Sequence, residues 1–91
     1  MEYVFIQRSG DRERIAECLE ELTQLSKIEL VNRYNNAVRI GILGVHAQAQ
    51  MIVALNLAFT KSFGSSPIKI EKNVIISLTG KIELNGENWN Y

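Results

Sequence analysis

Ninety-one residues make one small domain, whose folded core buries roughly two-thirds of the surface that the unfolded chain exposes. A content of 46% hydrophobic and 22% charged residues is that of a globular chain and argues against disorder. Ten basic side chains cancel ten acidic ones and no basic run occurs, which disfavours nucleic acid or an anionic membrane as the main partner.

In chain order, residues 2–8 are rich in Tyr, Val, Phe and Ile and stop at Ser9-Gly10, which predicts a strand. From Asp11 to Ser26 the period becomes helical: Ile15, Cys18, Leu19, Leu22 and Leu25 share one face, with Ser9 or Asp11 as candidate caps. Ile28 to Tyr34 and Ala37 to Leu43 read as two strands of a hairpin turning at Asn35-Asn36, since Asn tolerates positive φ. After Gly44, a second helix is expected over 45–63, stopped by Gly64-Ser65-Ser66-Pro67. Short strands are expected at Ile68–Glu71 and Val74–Leu78, with a turn at Lys72-Asn73 and a continuation over Lys81–Leu84.

This order predicts an α+β, ferredoxin-like βαββαβ sandwich, with two helices on one face of a mostly antiparallel sheet and room for one extra C-terminal strand. Residues 1–84 are expected to form the domain, and residues 85–91 a flexible tail. Met1-Glu2-Tyr3-Val4 lacks the basic start and apolar run of a secretory signal, and one cysteine makes no intrachain disulfide; the expected compartment is the cytoplasm. Met51 to Phe59 is far shorter than the roughly 20 residues of a membrane span.

Strands apolar on both sides, shielded by helices on only one, point to self-association, with a homodimer favoured. Tyr3, Phe5, Val53 and Leu57 are the expected interface residues. A second expectation is a small anionic ligand at the first strand–helix turn. There the predicted topology gathers Arg8, Ser9, Gly10, Arg12, Asn35, Asn36, Ser65 and Ser66, and a helix N-terminus with two guanidinium groups attracts negative charge. Ser, Asn and Gly also occur in turns for conformational reasons alone.

His46, the only histidine, is the remaining candidate for a functional side chain, against a plain capping or surface role. Cys18 lies on an apolar stripe and reads as a small buried hydrophobe. No Cys/His spacing suits a metal, no cofactor motif is present, and neither a catalytic dyad nor a phosphate loop stands out. The leading reading is therefore a self-associating interaction or regulatory binding module. The alternatives are a small enzyme with a site assembled between subunits, using His46 or Arg12, and an RNA-binding module of RRM-like topology. The latter is disfavoured because the third expected strand has no aromatic residue on which bases could stack.

Overall fold

The computed structural model describes residues 2–41, 46–72 and 75–91. The described elements run β1 (Glu2–Val4), α1 (Asp11–Leu22), α2 (Lys27–Ile40), α3 (His46–Phe63), β2 (Lys69–Glu71), β3 (Ile75–Ser77), β4 (Glu83–Asn85) and β5 (Asn88–Asn90). This is α+β, but not the ferredoxin-like βαββαβ sandwich expected from the sequence. Three helices follow one another between β1 and β2, and the strands form two small antiparallel sheets, β1-β3-β2 and β4-β5. The expected Ile42, Leu43, Gly44, Val45, Asn73 and Val74 assignments lie outside the described residues.

The departure originates in residues 27–40, expected as a hairpin and found as a helix. Ser26 opens α2 with a capping box: its hydroxyl accepts the Glu29 amide proton, and the Glu29 carboxylate accepts the Ser26 amide proton at 3.1 Å. That reciprocal arrangement satisfies donors that the first helical turn leaves free. Behind the cap, Leu30, Val31 and Tyr34 are buried, and Ala37 and Val38 pack against the core, so the aliphatic residues form one helical stripe. Asn35-Asn36 sits inside the helix instead of at a turn. With the hairpin goes any RRM-like platform, because residues 37–40 are helical.

Helix α1 ends earlier than expected, at Leu22, where Thr23 folds its hydroxyl onto the Glu20 carbonyl and the chain turns toward Ser26. Helix α3 buries Ala49, Ile52, Ala54, Leu55, Ala58 and Phe59, and packs against both other helices. Asp11 meets His46 and Gln50 at the start of α3, whereas Leu22 shares a cavity wall with Ala58, so α1 and α3 run side by side in the same sense. Tyr34 from α2 meets the Phe59 ring edge-on, with centroids 6.0 Å apart. Each such fully buried large side chain contributes roughly 1.5–3 kcal/mol.

In the three-stranded sheet Tyr3, Ile76 and Ile70 stand opposite one another and face the helices. Val4, Ile75 and Glu71 form a row on the other face, where Lys69 and Ser77 also lie. That outer face is mixed, not uniformly apolar. The aliphatic residues of 28–40, counted from the sequence as covering two sheet faces, belong to α2. The self-association argument therefore loses the hairpin and retains only β1. The residues from Asn85 onward, expected to fray, supply the turn and second strand of the β4–β5 hairpin, with Gly86 in the left-handed region (φ 67°).

No helix among the described residues is long and apolar enough to cross a membrane.

Candidate functional site

The segment joining β1 to α1 builds the first part of the site. Gly10 takes a left-handed φ of 89°, which costs glycine little and starts α1 without a side-chain cap. The Asp11 side chain does not cap the helix. It turns back and inward, and one oxygen, Oδ2, accepts the Arg8 amide proton at 2.6 Å. The other oxygen, Oδ1, accepts Gln50 Nε2–H at 2.7 Å and lies 2.7 Å from His46 Nε2. The His46 ring is stacked on Phe5, nearly parallel at 7° with centroids 4.9 Å apart. Helix α3 presents His46 and Gln50 four residues apart, one turn, so both reach the same carboxylate.

Asp11 is only 1% exposed. Burial pushes its carboxyl pKa up, but hydrogen bonds from the Arg8 amide, Gln50 and His46, with the imidazole's charge, outweigh burial and hold it below the ordinary value. The carboxylate is therefore ionised at neutral pH and joins the strand exit to α3.

Beside this cluster lies a cleft of about 420 Å³. Its apolar lining comes from Phe5, from Ile15 of α1, from Val53 and Leu57 of α3, and from Ile70 and Ile76 of the sheet. Gln7, Asp11, Arg12 and Asn56 are the polar residues on its lining. Arg12 is exposed and is the single cationic side chain among the lining residues. An apolar body with a few polar groups is the make-up of small-molecule sites, and the volume falls within the usual range.

The structure redistributes the residues proposed from the sequence. Three of the four expected interface residues, Phe5, Val53 and Leu57, meet the expected ligand residue Arg12 in this one cleft. Tyr3 packs on the core from β1. Arg8, Ser9 and Gly10 remain with Arg12 at the β1–α1 connection. Asn35, Ser65 and Ser66 do not join them. Glu2 and Lys69 both stand opposite Ser77, while Val4 and Glu71 both stand opposite Ile75, so β1 and β2 run in the same direction. The chain leaves β1 at one end of the sheet and enters β2 from Ser65-Ser66 at the other.

Those three residues have local tasks. Asn35 donates to the Ile82 carbonyl and accepts the Ile82 amide proton, both at 2.8 Å, as a strand neighbour would. The Ser65 carbonyl accepts the Trp89 indole proton at 3.2 Å, and the Ser66 hydroxyl accepts the Ile68 amide proton at 3.1 Å. Cys18 is free and buried. Among the described residues no group of three or more His, Cys, Asp or Glu side chains is placed to hold a metal ion.

Two other hollows are less suited to a ligand. One, of about 570 Å³, is lined by Asn32, Asn35, Asn36, Arg39 and Lys81, with Val38 as its only aliphatic residue. Three of its polar residues already serve one another or the fold: Asn36 accepts from Arg39 at 2.7 Å, and Asn35 holds Ile82. The other, between α2 and α3, measures about 200 Å³. Sequence reasoning missed Asp11, expected there only as a helix cap, and Gln50, for which the spacing of four from His46 on a helix was the available signal.

Compared with models of known protein families, with curated proteins and with solved structures, the chain matches none of them.

Proposed function

We propose that this protein is a small cytoplasmic binding module that takes a compact apolar molecule carrying one carboxylate. The apolar part lies against Phe5, Val53 and Leu57, and the carboxylate pairs with Arg12 at the mouth. The observation that carries this reading is the convergence of these four residues on one cleft of about 420 Å³. Arg12 favours an anion through charge-assisted hydrogen bonds, while Asp11 is committed to its own three partners. A single thiol enclosed in the core suits a reducing compartment.

Octanoate, tested with octan-1-ol and octylamine by thermal shift and NMR titration, probes the proposal. The carboxylate should raise the melting temperature most, Arg12→Gln should weaken its binding about tenfold, and Val53→Trp should fill the cleft and abolish it. Equal responses to all three amphiphiles, or no response to octanoate, overturn the reading.

A second reading, an acid–base centre completed by another subunit, is favoured by one contact, Asp11 Oδ1 against His46 Nε2. A carboxylate in that position orients an imidazole and selects its tautomer. Hydrolysis of 4-nitrophenyl acetate faster than by free imidazole, and lost in His46→Ala, supports it. Equal rates for the two proteins remove it.

A further inference from the structure

We infer that β1 is a self-pairing edge, through which two copies of this chain join their three-stranded sheets into one antiparallel sheet centred on Phe5. The inference rests on the difference between the two sheet edges and does not depend on the cleft binding a ligand. Among the described residues both outer strands of the order β1-β3-β2 are edges, and an unpaired edge offers backbone donors and acceptors to any extended chain.

The β2 edge carries the usual protection. Lys69 and Glu71 flank Ile70 and are exposed, and Lys72 follows in the left-handed region (φ 53°), which ends the extended run. The β1 edge lacks such protection over its central residues. Val4 is 60% exposed and Ile6 71% exposed, the highest value among the exposed large aliphatic residues described. Tyr3 and Phe5 turn toward the core while Val4 and Ile6 turn to water, so the alternation of a strand continues past Val4 as far as Ile6.

A two-fold axis perpendicular to the sheet at Phe5 sets Val4 of one copy opposite Ile6 of the other, twice, on the same outer face. Such cross-strand aliphatic pairs stabilise a sheet, and both side chains leave water. Positions 2 and 8, acidic and basic in the sequence, also fall opposite one another. Sliding the pairing by two residues sets Ile6 against the acidic position 2 in one direction and Val4 against the basic position 8 in the other, so this register is the one favoured by polarity. It also brings Tyr3 of the second copy beside Gln7, where it extends the mouth of the cleft. An edge this short buries less than a standard interface, so the dimer is expected to dissociate on the order of micromolar concentrations.

Sedimentation of the full chain tests the inference. On the order of 100 µM, the weight-average mass should rise toward twice the single-chain 10.3 kDa. Ile6→Lys should return it to the single-chain value with an unchanged circular dichroism spectrum, because residue 6 is already in water in the monomer. Ile28→Lys, an exposed aliphatic on α2, should leave the dimer intact, and so should Arg12→Gln, which separates this result from the fate of the ligand reading. Register is read by oxidation: a mixture of Val4→Cys and Ile6→Cys chains should cross-link faster than either variant alone. A chain that stays monomeric at the highest concentration, or an Ile6→Lys variant that still dimerises, overturns the proposal. Faster cross-linking of Val4→Cys with itself overturns the register.

Discussion

Two corners of the molecule are held by side chains that bridge distant parts of the chain, and they use different chemistry. At the β1–α1 corner one buried carboxylate, Asp11, gathers the Arg8 amide, His46 and Gln50. At the α2–β4 corner one neutral amide, Asn35, satisfies both backbone groups of Ile82. The first is ionic and adjoins the apolar cleft; the second is neutral and lies beside a polar hollow with one aliphatic residue on its lining. A charge in the core makes its corner dependent on pH, whereas an amide holds under any pH at which the chain folds. The proposed ligand site therefore adjoins the ionic corner.

The largest effect should come from removing the carboxylate. Asp11→Ala strands the Arg8 amide, Gln50 and His46 together, and should lower the melting temperature more than any neutral change at the other corner. A smaller loss than that of the Asn35 variant contradicts the assignment of the main staple to Asp11.

Acid titration sharpens the same contrast. Because the folded carboxyl pKa lies below its ordinary value of 3.8, the Asp11 contribution is full above that value and is lost as pH falls through the depressed folded pKa. The stability gap between the wild type and Asp11→Asn should thus narrow as pH is lowered below about 4. A gap that stays constant down to the acid transition shows that the charge of Asp11 does not act as described. Glu29 and Glu87 are also held low, by the Ser26 amide and by Lys27 respectively, but both are exposed.

Next comes Asn35→Ala, which leaves the Ile82 amide and carbonyl without their partner and should cost about 2–3 kcal/mol in urea unfolding. That cost should be the same at pH 5 and pH 8, since no ionisable group is removed. Pronounced pH dependence there breaks the comparison. The smallest effect is local: Ser26→Ala removes the α2 cap and should cost about 1 kcal/mol. A negligible loss separates the capping-box geometry from helix stability.

Legibility in the sequence followed the range of the interactions. Helix α1 was readable because Ile15, Cys18, Leu19 and Leu22 repeat at its period, and α3 likewise up to its stop at Gly64, which has a φ of 82°. The segment after Ser26 was misread because β-branched and aliphatic residues lie on both sides of an Asn pair, a pattern that a hairpin and a helix share at short range. The Ser26-Lys27-Ile28-Glu29 capping box was the local sign in favour of the helix. At the candidate site, Arg12, Phe5, Val53 and Leu57 were each identifiable, but under two separate headings, ligand and interface. The structure unites them because α1 and α3 lie in the same sense beside Ile70 and Ile76.

By itself the amino-acid order determined the α+β class, the two amphipathic helices around Cys18 and Leu55, the stop of the second at Gly64, and the apolar character of β1, since these depend on periodicity and on residues close along the chain. Only the tertiary structure decided that Asn35 would serve as a strand neighbour for Ile82, that Ser65 and Ser66 would lie at the far end of the sheet from Arg8, and that Asp11 would face inward to His46. Those outcomes depend on which backbone groups and which charges lack a partner once the chain is packed, a condition that no local window of sequence contains.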